Sequence, residues 1–190
     1  MQIVRAADCR RMPWKNGGGE TTEIATFPDG AGLDHFTWRL SAARVARDGP
    51  FSLFPGIDRT LAVLSGEGLD LRVGGVTTRI GPGDAPLSFP GDAPTEGRLV
   101  GGTVEDLNVM TRRELARHRM SRIAVAGSMS VITETGTAIV FCAEGEVGVG
   151  HATLRPRDAA VLGGPTPVRF DVDGQGTIYL IDIEVLPQPL

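Results

Sequence analysis

The residue types best suited to binding chemistry stand together near the N-terminus, in the segment Trp14-Lys15-Asn16-Gly17-Gly18-Gly19. Consecutive glycine N–H groups can form a concavity that binds anions, and the Lys15 ammonium would add a full positive charge beside it. Trp14 offers a flat wall to a planar ligand or a cation. The segment therefore predicts an anion-binding loop. The structural alternative is a flexible glycine turn with Trp14 closing one end of a barrel.

Catalytic and metal-binding patterns are missing from the sequence. The three histidines, His35, His118 and His151, form no His-x-His pair, so we expect neither a metal nor another cofactor. There is no Gly-x-Ser-x-Gly motif, and Cys142 lies inside an apolar run that is typical of a core thiol. We assign no catalytic residue. We favour a non-enzymatic protein, and an enzyme is the alternative.

The elements that would position these residues are predicted to be strands. Short runs of β-branched and apolar residues are separated by turn residues, and the 190-residue chain contains 26 glycines and 13 prolines. Leu69–Val73 and Val76–Ile80 flank Gly74-Gly75, a pair that favours a tight hairpin. Only Arg112–Met120 has helical composition, which predicts a short connecting helix or a solvated basic loop.

The two halves of the chain resemble each other. Leu61–Gly68 and Ala138–Gly145 are both apolar runs that end in Glu-Gly, and Pro82–Ala85 and Pro156–Ala159 both read Pro-x-Asp-Ala. Such a repeat indicates a duplicated β unit. The pattern resembles the cupin jelly roll. We therefore expect an all-β bicupin of two RmlC-like jelly-roll units packed together, with halves at 1–113 and 114–190.

The composition limits the classes of partner. Apolar residues make up 41% of the chain and the formal net charge is −4, which describes an ordinary globular protein without the basic excess of a nucleic-acid-binding surface. No apolar run is long enough for a membrane span, and the N-terminus lacks the apolar core of a signal peptide. We expect a cytoplasmic protein that binds neither nucleic acid nor membrane. A homo-oligomer stays open.

A combination of motifs resembles the HutD/Ves family, one branch of which is encoded with bacterial histidine-utilisation enzymes. The residues that carry the resemblance are Trp14–Gly19, Glu23–Ala25, Trp38–Ser41, Gly49–Ser52, Phe54–Gly56, Asp58-Arg59 and Asp106–Met110. The resemblance is dense over about positions 1 to 113 and thins beyond them. It implies a bicupin fold, an accessory or regulatory role in histidine breakdown, and a pocket lined by these motifs.

Strand alternation sorts the motif residues into faces. It places Thr21, Glu23 and Ala25 together, Arg39 with Ser41, and Asp106 with Asn108 and Met110. Each polar set by itself is typical of a solvated face, but the family resemblance favours a pocket. The predicted ligand-binding residues are Trp14, Lys15, Asn16, Gly17, Gly18, Gly19, Glu23, Arg39, Ser41, Phe51, Asp58, Arg59 and Asn108.

Two interpretations of single residues compete with the pocket. Arg39 and Glu23 could form a structural ion pair, and Asp58 could cap a turn in the irregular segment Phe51–Arg59. The leading functional hypothesis is a protein that senses or sequesters an anionic carboxylate of histidine degradation, with urocanate and formylglutamate suggested by the family. The alternatives are a metal-independent isomerase or lyase, and a protein-interaction module with a vestigial pocket.

Overall fold

The computed structural model describes residues 1–14 and 16–187. Within these residues the regular structure is β-strand apart from one 3-10 turn at Ala6–Asp8. The all-β class expected from the composition is therefore confirmed. The described ranges contain no helix that is long and apolar enough to cross a membrane.

The chain divides into two compact units. The first unit is Arg10–Leu115, and the second combines Met1–Cys9 with the chain from Ala116 onward. The expected division at 113/114 assigned the N-terminus to the first half. In the structure the N-terminal strand pairs antiparallel with Ala159–Gly163, and these backbone hydrogen bonds associate it with the second unit.

Ten strands form the first unit. They are β2 (Arg10–Pro13), β3 (Gly19–Phe27), β4 (Trp38–Val45), β5 (Gly49–Pro50), β6 (Ile57–Ser65), β7 (Leu69–Val73), β8 (Val76–Ile80), β9 (Leu87–Pro90), β10 (Thr95–Leu99) and β11 (Val104–Arg112). A large sheet has the strand order β2-β3-β4-β11-β6-β9, and a small sheet has the order β5-β10-β7-β8. All pairings within both sheets are antiparallel.

Six strands form the second unit. They are β1 (Gln2–Val4), β12 (Ala116–Thr133), β13 (Thr137–Val149), β14 (Ala152–Leu154), β15 (Ala159–Gly163) and β16 (Val168–Val185). The sheet order is β1-β15-β13-β16-β12, and β14 pairs with β13. The buried cluster of this unit is made of apolar side chains, among them Val140, Leu154 and Ile178.

The hairpin predicted from Gly74-Gly75 is confirmed. Val73 pairs with Val76 across a two-residue loop, and both glycines have positive φ, 54° and 96°. A tight hairpin of this kind needs positive φ at its central positions, and glycine adopts that conformation without a steric penalty.

The prediction of a short helix or a basic loop over Arg112–Met120 is wrong. Arg112 ends β11, a short turn follows, and β12 begins at Ala116. All 18 residues of β12 pair with β16, from Ala116 opposite Val185 to Thr133 opposite Val168. Helix propensity differs by only about 0.7 kcal/mol among ordinary residues, so the long run of interstrand hydrogen bonds decides the conformation.

The Pro-x-Asp-Ala turn has the same geometry in both halves. Asp84 Oδ2 accepts a hydrogen bond from Gly81 N at 2.8 Å, and Asp158 Oδ2 accepts one from Arg155 N at 3.1 Å. The residue before each aspartate has positive φ, 95° at Gly83 and 76° at Arg157. The sequence repeat therefore corresponds to a repeated local structure.

Candidate functional site

The candidate site lies on the face of the large sheet that is turned toward the small sheet, called here the interior face. Its apolar part forms one buried cluster with the small sheet, which contains Leu61, Val63 and Phe89 from the large sheet and Leu69, Leu71 and Ile80 from the small sheet. Residues directly opposite each other on antiparallel strands share a face. The strand register therefore identifies the polar residues that accompany this cluster.

Three rows of residues cross the interior face. In one row Arg39, Met110, Arg59 and Phe89 are opposite one another; in the next Ser41, Asn108 and Leu61; in the third Ala43, Asp106 and Val63. The alternation predicted for β4 and β11 is thus confirmed. The predicted solvated alternative does not hold, because these side chains are buried in the sheet interior.

The polar residues of these rows are withdrawn from water. Their exposed fractions are 5% for Arg39, 3% for Ser41, 6% for Arg59, 1% for Asp106 and 6% for Asn108. A buried polar group without a hydrogen-bond partner costs about 1–3 kcal/mol in proteins, and a buried charge costs more. The partners of each residue therefore decide which of them are available to a ligand.

Arg39 donates hydrogen bonds to neighbouring side chains from two of its nitrogens. Its Nε donates to Glu23 Oε2 at 2.9 Å, and its Nη1 donates to Ser41 Oγ at 3.0 Å. The ion pair that competed with a ligand role for Arg39 is present. Glu23 keeps 26% of its side chain exposed, against 6% for Arg39, so solvent reaches this pair from the Glu23 side.

A β-bulge directly follows Glu23. The β3–β4 register shifts between Glu23 and Ala25, so that Glu23 is opposite Ser41 while Thr26 is opposite Arg39. The strict alternation that placed Glu23 and Ala25 on one face is therefore wrong beyond the bulge. One extra residue in a strand reverses the faces of the residues that follow it.

Arg59 is the buried cation with unused hydrogen-bonding capacity. Its Cζ lies 5.4 Å from the ring centre of Phe51, 5.5 Å from that of Phe54 and 5.1 Å from that of Phe89. Nη1 donates to the carbonyl oxygen of Ser52 at 3.4 Å, and Nε has no partner among the described residues. Burial lowers the pKa of Arg59 to about 10, although the charge of Asp106 opposes this shift.

Asp106 and Asn108 present acceptors without donors. Both carboxyl oxygens of Asp106 and Oδ1 of Asn108 are buried and lack hydrogen-bond partners within the described part of the chain. Burial raises the pKa of Asp106 to about 7 against the opposing effect of Arg59. Asp106 was not among the predicted ligand-binding residues, although the alternation Asp106-Leu107-Asn108 already placed it beside one of them.

Two backbone N–H groups of the glycine segment donate hydrogen bonds within the segment itself. Gly17 N donates to the Trp14 carbonyl at 3.0 Å, and Gly18 N donates to Asn16 Oδ1 at 2.9 Å. The loop therefore does not offer three free N–H groups in a row to an anion. Gly19 is required for packing, because a Cβ there would collide with the Arg44 carbonyl oxygen.

Trp14 lies near the Asp106 row. Its indole Nε1 donates to Thr21 Oγ1 at 2.8 Å, and Thr21 is opposite Ala43, which is opposite Asp106. Lys15 lies outside the described residues, so its anion contact stays a prediction.

Asp58 is directed away from this cluster. It neighbours Arg59 on β6 and therefore faces the other side of the strand. Its carboxylate pairs with Arg113 at 2.8 Å, and the same guanidinium binds Asp92 at 2.9 Å. Asp92 also accepts a hydrogen bond from Gly56 N at 2.5 Å. This network anchors the segment that carries Phe51 and Phe54 rather than the polar interior.

The three histidines lie in different parts of the structure. His35 and His151 are in turns and His118 is in β12. Among the described residues, no group of three or more His, Cys, Asp or Glu side chains is arranged to hold a metal ion.

Comparison with known proteins places this arrangement in a family. The HutD family model matches residues 6–180. The chain belongs to the HutD family. A relative from Pseudomonas putida, named as an uncharacterised 21.2 kDa protein in the hutC 3' region, is 39% identical over 153 residues, which are 80% of this chain and 78% of the relative. The protein Ves of Citrobacter koseri is 34% identical over 77% of this chain and 76% of its own.

Solved structures support the same family assignment. The structure of HutD from Pseudomonas fluorescens SBW25, obtained in a formate condition, is 33% identical, has a TM-score of 0.88, and matches over 98% of this chain and 99% of that one. A cupin 2 conserved barrel domain protein from Leptotrichia buccalis is 10% identical with a TM-score of 0.58 over 96% of this chain and 100% of its own. The latter likeness concerns the fold alone, which is that of cupin-like proteins.

Proposed function

We propose that this HutD-family protein binds a small anionic carboxylate metabolite in the interior of its first unit, as an accessory or regulatory protein of histidine catabolism and without catalysing a reaction. The observation that carries the proposal is the Arg59 guanidinium, which is buried among three phenyl rings with its Nε unpaired. A carboxylate is the chemical partner that this donor lacks.

The ligand anchor in this proposal is Arg59 and not Arg39. Arg39 already donates hydrogen bonds to Glu23 and Ser41, whereas Arg59 donates one long hydrogen bond to the Ser52 carbonyl oxygen. A hydrogen bond between charged groups contributes about 1.5–3 kcal/mol. At roughly 0.5–0.7 kcal/mol per heavy atom, a ligand of about ten heavy atoms would bind with a Kd of roughly 10–200 μM.

The family context supplies the candidates. Urocanate and formylglutamate are the carboxylates that the histidine-utilisation context suggests, and a HutD structure was obtained in a formate condition. We propose cytoplasmic action, where such metabolites are degraded. We also infer that the two units are duplicated jelly rolls, because the Asp84 and Asp158 turns share their hydrogen bonds.

Calorimetric titration tests the proposal. The parent protein is expected to bind urocanate or formylglutamate, and Arg59→Met is expected to bind the same ligand at least tenfold more weakly. Arg117→Met is the matched control, because Arg117 is an exposed arginine of β12 in the second unit. Unchanged affinity in Arg59→Met, or no binding of either ligand by the parent, would contradict the proposal. Recovery of the ligand unaltered separates binding from catalysis.

A further inference from the structure

The interior face contains more unpaired acceptors than donors. Asp106 contributes two carboxyl oxygens and Asn108 contributes Oδ1, and none of the three accepts a hydrogen bond from the described residues. An anionic ligand held by Arg59 would satisfy a donor. It would leave these three acceptors as they are, because a carboxylate has no proton to donate.

The residues opposite Asp106 cannot supply the missing donors from their side chains. Ala43 and Val63 face it from the neighbouring strands. Asn108 faces Leu61 on one side and Ser41 on the other. The Ser41 hydroxyl accepts from Arg39 Nη1, and its own O–H makes no hydrogen bond with Asn108 Oδ1. Since buried acceptors are normally satisfied, the donor is expected to come from a bound molecule.

We propose that Asp106 and Asn108 are specificity-determining residues that accept hydrogen bonds from an N–H group of the ligand, so that the site takes carboxylates that also carry an N–H donor. This inference rests on the proposed function. It narrows the ligand class from any small carboxylate to one with two different recognition groups, and it assigns Asp106 a role.

The geometry of the sheet supports this ligand class. Arg59 is in the row next to Asn108, and Asp106 is one row further; successive residues on one face of a strand are about 7 Å apart at the backbone. A ligand that reaches from Arg59 to Asn108 and toward Asp106 therefore carries its carboxylate and its N–H several bonds apart. Urocanate has an imidazole N–H and formylglutamate has an amide N–H at such a separation, whereas formate has none.

Matched ligand pairs test the inference by calorimetric titration at pH 8, above the pKa of about 7 of Asp106, where its carboxyl group is ionised and accepts through both oxygens. One pair is urocanate and 3-(2-furyl)acrylate, in which a furan ring replaces the imidazole ring. The other is formylglutamate and the ester in which an oxygen replaces its amide N–H. The parent is expected to bind the N–H member of at least one pair tenfold or more tighter than its partner.

Two variants connect that preference to the proposed residues. Asn108→Leu and Asp106→Leu are each expected to reduce the preference to less than threefold, mainly by weakening the N–H ligand. Asp29→Leu, which changes an exposed turn residue of the same unit, is expected to keep it. The comparison of ligand pairs on the parent protein needs no variant, so a variant that fails to fold does not prevent the test.

The outcomes separate this inference from the proposed function. Equal binding of both members of every pair that binds would overturn the inference while leaving carboxylate binding intact. Retention of the full preference by both leucine variants would also overturn it. Failure of all four compounds to bind the parent would overturn both proposals.

Discussion

Arg59 and Asp106 share the interior face of the large sheet, yet no hydrogen bond joins them. Nε of Arg59 and both carboxyl oxygens of Asp106 lack partners within the described residues. Each nevertheless affects the ionisation of the other, because the charge of Asp106 opposes the fall in the Arg59 pKa and the charge of Arg59 opposes the rise in the Asp106 pKa. In the proposed function these two buried groups, which no hydrogen bond joins, are the ones that a ligand would pair.

Asp106 is expected to make the folded protein less stable as the pH rises. Burial raises the pKa of its carboxyl from 3.8 to about 7, so between these values the folded state holds a proton that the unfolded state releases. The contribution of Asp106 to the free energy of unfolding therefore decreases with rising pH by at most roughly 4 kcal/mol, and this contribution is constant above about pH 7. Denaturant titrations at pH 4.5 and pH 8 measure the decrease in unfolding free energy between the two pH values. This decrease should be smaller in Asp106→Asn than in the parent protein. An identical loss in both proteins would contradict this assignment.

Removal of the Arg39 guanidinium is expected to destabilise the protein. Arg39→Met leaves Glu23 and Ser41 without their donor in a buried sheet, which costs about 1.5–3 kcal/mol of unfolding free energy. Arg79→Met removes an ion pair with Asp70 at the surface and should leave stability close to that of the parent. Chemical denaturation of both variants measures the difference. Equal losses would show that burial of the Arg39 pair has no energetic consequence.

Acid is expected to weaken the Asp158 turn. Burial by itself would raise the pKa of Asp158, but hydrogen bonds from Ala6 N, Arg5 and Arg155 N outweigh it and hold the pKa below its ordinary value. Its contribution is therefore present above the ordinary pKa of an aspartate and is lost as pH falls through the depressed value.

The variant Asp158→Asn measures that contribution. It is expected to lower the unfolding free energy by about 1.5–3 kcal/mol at pH 7, since hydrogen bonds to a charged group are lost. At pH 2 to 3 the difference from the parent should shrink. A difference that does not depend on pH would mean that the charge of Asp158 is unimportant.

The positive φ of the repeated turn is expected to matter at Gly83. Its φ is 95° and nothing lies within 4 Å of an added Cβ, so Gly83→Ala tests backbone strain without a clash. We expect a loss of roughly 1–2 kcal/mol, the cost of the left-handed conformation for a residue with a Cβ. Gly102→Ala is the control, because Gly102 has the same free space without the positive φ. Thermal unfolding of the two variants gives the comparison.

Local patterns predicted the features that depend only on neighbouring residues. Alternation along β4 and β11 correctly placed Arg39 with Ser41 and Asp106 with Asn108, because side chains of a strand have a period of two. The Gly74-Gly75 hairpin followed from φ preferences in the same way. The helical composition after Arg112 led to a wrong prediction, because the pairing of β12 with β16 outweighs a weak helix propensity.

The sequence by itself determined the all-β class, the family, and the set of polar residues that could line a pocket. Tertiary structure alone decided their roles. The pairing of β3 with β4 brought Glu23 to Arg39, while the segment before β6 surrounded Arg59 with phenyl rings. Which buried charge is paired and which is available depends on contacts between strands that are distant in sequence, and no local period records those contacts.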